Sequence, residues 1–294
     1  MNEAAETPSS PGRRQFVRGL LPLLAGVGAA QAQEEPDGLA RIRANGSLKV
    51  ALYNAFPPFS AQSPQGMQGL DVSLAQALAR AMGLQLALLP FDGDENMNDD
   101  LRNMVWKGHY LGYGPADVML HVPVDKYFMQ QNKQALIFAP YMREQVVLVR
   151  DTRRLPVVTG AADLQGLPLA AERGTGAASA LIGHDNRLLS AQVRLYADGV
   201  KAVQAVLQGE AAAAYVTRAQ AESVLFQAQP KPQQVEISEF PLTGVPAQGW
   251  LVGMAIKARQ EALGQALQQA LNSLRGSGEL LALFRQHGLT FTAP

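Results

Sequence analysis

Three stretches decide the fold: Leu48-Lys-Val-Ala-Leu-Tyr53, Asp71-Val-Ser-Leu-Ala-Gln-Ala-Leu-Ala-Arg-Ala-Met82 and Leu84-Gln-Leu-Ala-Leu-Leu89. The first alternates and predicts a strand over 48–53. In the second, Val72, Leu74, Ala75, Leu78, Ala79 and Met82 recur at helical spacing, which predicts a helix over 72–82 capped by Asp71. Gly83 stops that helix, and 84–89 returns as a second strand. Strand, helix and strand make a βαβ unit, and the right-handed crossover rule then predicts a parallel sheet. Between strand and helix, Asn54-Ala-Phe56-Pro57-Pro58-Phe59 reads as a stiff turn, because proline fixes φ.

Outward from that unit lies 92–125, an acidic loop, a short helix through Lys107, a Gly/Tyr-rich turn and a third strand over 116–121. Ligands in open α/β sheets sit beyond the carboxyl ends of strands. The polar strand end (His121, Pro123, Asp125) and the aromatics Trp106, Tyr110 and Tyr113 therefore read as one wall of a small-molecule cleft. Oxygen side chains alternate from Asp92 to Asp100 like the first half of a calcium loop. However, Met97 stands where that loop needs Gly, and Asn103 where it needs Glu. The expectation is a solvated loop whose acids favour the positive end of the helix that follows, capped by Asn98 or Asp99.

The second half repeats the α/β alternation. Strands are predicted near 145–150, 169–172, 193–196, 211–216 and 250–256, with helices at 177–182, 199–207, 218–227, 259–274 and 278–287. Gly174-Thr175-Gly176 at a helix start offers free backbone N–H groups, a seat for an anion that Arg173 and Arg218 would reinforce. The last strand and helices are read as returning to the first half. That layout needs two chain crossings, near 141–145 and 243–248, which together make a hinge.

Composition narrows the function. The 294 residues carry a formal net charge of +0 and contain no cysteine, so disulfides, thiolate chemistry and Cys-based zinc sites are excluded. No basic stripe points to nucleic acid. The four histidines are scattered, and neither a metal nor a cofactor is expected. At the N-terminus, Arg13-Arg14-Gln-Phe-Val17, an apolar run over 20–30 and Ala30-Gln31-Ala32 read as an export signal over residues 1–32, of the twin-Arg (Tat) type. A Sec signal that contains two arginines is the alternative. The expected location is the periplasm, with no membrane span in the mature chain.

Six motifs in order resemble the family 3 solute-binding proteins (SBP family 3) of bacterial ABC importers. They are Phe56-Pro-Pro-Phe59, Gly69-Leu-Asp-Val72, Ala116-Asp-Val-Met119, Phe138-Ala-Pro-Tyr141, Glu172-Arg-Gly-Thr175 and Leu274-Arg-Gly-Ser-Gly-Glu-Leu280. The resemblance implies the α/β type 2 periplasmic-binding fold, two lobes joined by two hinge crossings. One lobe would be 38–143 with 246–294, the other 144–245. It also implies a ligand between the lobes, and the residues read as its contacts are Tyr53, Asn54, Phe56, Trp106, His121, Asp125, Tyr141, Arg173, Thr175 and Arg218. Such proteins clamp an α-amino acid with an Arg after the third strand and an Asp in the second lobe. Here 121–142 has no arginine, and Thr217 stands at the Asp position. The segment 99–125 is also unlike a typical amino-acid binder and resembles the subgroup encoded with quinoprotein alcohol dehydrogenases.

The expectation is thus a transport protein, not an enzyme. It would bind a small polar or anionic solute other than a standard α-amino acid and deliver it to an ABC permease. The alternative is an accessory protein for a periplasmic dehydrogenase or cytochrome. A third reading, an enzyme on this fold, would use Glu172, Asp198, His121 or Asp125 as acid or base, but no spacing singles them out.

Overall fold

The computed structural model describes residues 38–94, 96–230 and 232–294; the export signal expected over 1–32 lies outside them. Helix α1 (Gly38–Asn45) runs into strand β1 (Ser47–Tyr53). The proline stretch that follows is more than a turn. Strands β2 (Ala55–Phe56), β3 (Ser60–Ser63) and β4 (Gly66–Gln68) form a small antiparallel sheet of their own. Helix α2 (Leu70–Ala81) and strand β5 (Gln85–Phe91) complete the crossover, and β1 pairs with β5 in parallel, Ser47 opposite Gln85 through Tyr53 opposite Phe91.

Asp71 does not cap α2. Gly69 holds the N-cap position at φ +129°, against the Phe59 carbonyl where a Cβ would collide, and the Asp71 side chain turns into the core. Helix α3 (Met97–Leu101) is capped by Asn96, not by Asn98 or Asp99, because the Asn96 side chain reaches both of their N–H groups. It continues into a π-helical turn, Arg102–Trp106. Strand β6 (Val118–Pro123), helix α4 (Lys126–Gln131) and strand β7 (Ala135–Glu144) follow. The third strand starts two residues later than its sequence suggests, since the Ala116 N–H is spent on the Met104 carbonyl rather than on a ladder.

At Gln145 the chain leaves this sheet. Strands β8 (Val146–Asp151) and β9 (Leu169–Glu172), helix α5 (Gly176–Arg187), strand β10 (Val193–Tyr196), helix α6 (Gly199–Leu207), strand β11 (Ala213–Thr217), helix α7 (Arg218–Gln227) and strand β12 (Val235–Ser238) build a second sheet. After 239–249, β13 (Trp250–Lys257) rejoins the first sheet, and α8 (Glu261–Gly276) and α9 (Glu279–Gln286) pack on it. The strand orders are β5-β1-β6-β13-β7 and β10-β9-β11-β8-β12. The parallel sheet expected from the βαβ unit is therefore mixed. The returning β13 runs antiparallel to both β6 and β7, and β8 runs antiparallel to β11 and β12.

The described residues make one compact unit with apolar clusters on both faces of each sheet. The helical spacing of 72–82 explains the main one: Leu74, Leu78 and Val72 of α2 meet Leu267 and Leu271 of α8, Phe284 of α9, and Leu48, Val50 and Leu52 of β1.

Candidate ligand-binding cleft

Both sheets contribute walls to one partly enclosed cavity of about 230 Å³. From the first sheet and its attached strands come Phe56 and Trp250, the first residue of the returning β13. From the second come Val146, Glu172 at the end of β9, the α5 start (Thr175, Gly176, Ala177), Tyr215 to Thr217 at the end of β11, and Gln220 on α7; Gly244 to Pro246 close one side. The site thus lies beyond the carboxyl ends of two parallel strands, β9 and β11, where open α/β sheets bind ligands.

Its polar groups are few and held in place. Glu172 Oε2 accepts the Gly199 N–H at 3.1 Å and the Gln220 Nε2–H at 2.6 Å. The other end of that buried amide, Gln220 Oε1, accepts the Thr217 N–H at 3.1 Å. Gly199 permits this packing, since a Cβ there would overlap the Gln220 amide. Burial pushes the Glu172 carboxyl above its usual range, and nearby Asp198 adds to the push against the two hydrogen bonds. Among the described residues no Lys, Arg or His lines the cavity.

Behind Phe56 lies a second polar cluster. Asp71, fully buried, accepts the Tyr141 hydroxyl at Oδ1 (2.8 Å), and its Oδ2 lies 2.8 Å from His121 Nδ1. The His121 N–H donates to the Tyr141 oxygen at 3.1 Å. Burial and the Asp71 carboxylate hold the Tyr141 hydroxyl well above its ordinary pKa. His121 adopts φ +60°, which aims its ring at Phe56 (centroids 4.8 Å, edge-on) and Phe59 (4.2 Å). His121 and Tyr141 therefore stand behind an aromatic wall rather than in the cavity lining.

The other residues expected at the site are scattered. Tyr53 donates its hydroxyl to Asp100 Oδ2 at 2.7 Å, and its ring lies edge-on to Phe56 at 5.7 Å. Asn54 serves through its backbone, donating to Phe91 O and accepting from the Gln62 N–H. Trp106 packs with Tyr113 against the core on one face of the first sheet. Asp125 caps α4 by accepting the Phe128 N–H at 2.8 Å.

The arginine-backed anion seat is not built. Arg173 is exposed and does not line the cavity. Arg218 is committed to Glu239 and to Glu222, the latter at 3.6 Å. Thr175 does line the cavity, but its hydroxyl caps α5 by accepting the Ala178 N–H at 3.1 Å while donating to the Glu172 carbonyl at 2.9 Å. In the acidic loop, Asp100 faces inward to Tyr53 and the Asp94 N–H, and Asp94 takes the Asn103 amide. No group of three metal-ligating side chains forms among the described residues.

Two lining residues, Gln220 and Trp250, give no ligand-binding signal in the sequence. A glutamine in the first turn of a helix and a tryptophan opening a strand become visible only once the second sheet faces the first.

No protein-family model matches the chain. Among solved structures, it superimposes on an ancestral cationic amino-acid solute-binding protein with TM-score 0.67 at 20% identity, over 85% of this chain and 99% of that one. The fold is that of the two-lobed amino-acid-binding proteins. An amino-acid ABC transporter substrate-binding protein from Streptococcus pneumoniae, bound to L-arginine, gives TM-score 0.61 at 18% identity over 87% of this chain and 100% of that one. A polar amino-acid uptake protein from Streptococcus thermophilus gives 0.65 at 18%, over 88% and 92%.

Curated relatives match over shorter stretches. Cyclohexadienyl dehydratase of Pseudomonas aeruginosa is 35% identical over 80 residues, 27% of this chain. The L-cystine-binding protein of Escherichia coli is 31% identical over 83 residues, 28% of this chain. The chain spans 30% and 31% of the length of these two relatives. Its relatives and neighbours are thus mostly amino-acid solute-binding proteins of ABC importers, with one enzyme among them. No helix among the described residues is long and apolar enough to cross a membrane.

Proposed function

We propose that this chain is a periplasmic solute-binding protein of an ABC importer. Residues 38–143 with 246–294 form one lobe and 144–245 the other, and they close over a small solute for delivery to a permease. The observation that supports this reading is the cavity of about 230 Å³ whose walls come from both sheets, with Phe56 and Trp250 facing Glu172, Thr217 and Gln220. That volume lies below the roughly 300 Å³ at which pockets for drug-sized ligands begin, which suits a metabolite of few atoms. Catalysis has no comparable support, because Glu172 is held by an amide and a backbone N–H rather than by a partner acid or base. A standard α-amino acid would find no arginine for its carboxylate, and an anionic solute is disfavoured on the same ground. Thermal-shift screening of the full chain against small metabolites, followed by small-angle scattering, tests the reading. A hit that also contracts the radius of gyration is expected; hits that bind without contraction would count against lobe closure.

A second reading, an accessory protein of a quinoprotein dehydrogenase or its cytochrome, draws on the exposed loop tip. Tyr110 and Leu111 are 88% and 67% exposed between Gly108 and Gly112. Binding of a purified dehydrogenase that is lost in Tyr110→Ser would favour this role.

A further inference from the structure

The chemistry of the cavity restricts its ligand more than the fold does. Two aromatic side chains, Phe56 and Trp250, stand with the carboxyl of Glu172 around one small space. Val146, Ala177, Val216, Val245 and Pro246 add an apolar share to the remaining lining. An aromatic face carries a negative quadrupole and attracts a cation, most strongly for tryptophan. A carboxylate adds full negative charge, and low local dielectric strengthens both attractions.

The carboxylate is also preorganised. The Gly199 N–H and the Gln220 amide both bond Oε2, so Oε1 has no hydrogen bond among the described residues. The Gln220 amide cannot turn to offer its oxygen instead, because that oxygen is tied to the Thr217 N–H. Among the described residues no cationic side chain lines the cavity to neutralise Glu172, and the charge that bears on it, Asp198, has the same sign. A half-buried negative charge without a counter-charge still carries a desolvation cost, and a cationic ligand relieves it. A ligand carboxylate would meet the opposite situation, repelled by Glu172 with no arginine to receive it.

We propose that the cleft takes a small organic ammonium ion with an apolar body and no carboxylate, its charged nitrogen set between Glu172 and the rings of Phe56 and Trp250. This assignment rests on the cleft-binding reading and names the ligand class for that site.

Calorimetry and tryptophan emission on the full chain test it, with Trp106→Phe leaving Trp250 as the sole reporter. The probes are tetramethylammonium, butylamine and benzylamine, each amine set against its charge-reversed or neutral counterpart (butyrate, benzoate, benzyl alcohol). At least one ammonium ion is expected to bind while the counterparts do not. Glu172→Gln should then weaken it roughly tenfold or more, the loss of a charge-assisted contact. Phe56→Leu keeps an apolar wall but removes the quadrupole and should weaken it several-fold, and unchanged melting of this variant separates lost binding from lost folding. Equal binding of benzoate and benzylamine, or full affinity in Glu172→Gln, overturns the proposal. If no ammonium ion binds, the ligand class falls. In that event an α-amino acid whose binding is lost in Phe56→Leu leaves the cleft reading standing, and silence across both sets removes that reading too.

Discussion

Gln220, on α7, donates its amide to Glu172, on β9, across 2.6 Å, while its own oxygen is held by the Thr217 N–H. One buried side chain therefore joins two strand ends and fixes the carboxyl that faces the cavity. Gln220→Leu leaves both partners short of a bond. It is expected to cost about 1.5–3 kcal/mol, the range for hydrogen bonds to charged groups. Removing a donor to the ionised form also raises the Glu172 pKa further, so the deficit should be larger at pH 8 than at pH 4. Urea unfolding at the two pH values measures this.

Glu144, at the last residue of β7, is buried, and its Oε2 has no hydrogen-bond partner among the described residues. Burial pushes its carboxyl from 4.5 up to about 8, with Glu222 adding and the N–H groups of Gln145 and Ala219 and the Thr217 hydroxyl opposing. The folded chain then holds one more proton than the unfolded chain between those values. Stability from this group is complete below about 4.5 and is lost as pH rises to about 8. The slope is about 1.4 kcal/mol per pH unit at most. Glu144→Gln should flatten the stability profile in that window; an unchanged slope would assign it to other groups.

Tyr141→Phe removes the hydroxyl that bonds the fully buried Asp71 and receives the His121 N–H. Destabilisation of about 1.5–3 kcal/mol is expected, since a buried carboxylate loses a donor. Because His121 backs Phe56, ligand affinity should fall as well, by more than in a variant of equal stability loss at α9. Chemical denaturation and calorimetry on the same samples separate the two effects.

Gly249 precedes the returning strand at φ +68°, where a Cβ would strike the Glu144 carbonyl. Gly249→Ala combines left-handed strain of roughly 1–2 kcal/mol with that collision. A lower melting temperature is expected, together with altered Trp250 emission from the neighbouring position. A neutral result would mean that the second crossing is looser than its packing implies.

The sequence is legible where periodicity and length agree. The α2 stripe from Val72 to Ala79, the alternation of 48–53 and the β-branched run after Gln145 each declare their element and its buried face. Strands of two to four residues, such as Ala55–Phe56 and Ser60–Ser63, are too short for any period to register, so that sheet reads as a proline turn. Asp71 has the residue type and position of a helix cap; only its non-local neighbours, His121 and Tyr141, show that it serves the core. Arg218 misleads in the same way. At a strand end it resembles a ligand cation, yet Glu239, distant in sequence, occupies its guanidinium. Glu172 and Gln220 gain their roles from a contact across β9 and α7 that no local pattern encodes.

The passage from β7 to β8 uses a single residue, Gln145. Side chains alternate up and down along an extended chain, and so short a link carries the phase of that alternation from one sheet into the other. Inserting one residue there would turn Val147 and Val149 to the side now taken by Leu148, inverting an entire layer, whereas the return path over 239–249 is longer and not extended throughout, so it transmits no such phase. The two connections are unequal partners, one a keyed joint and the other a strap.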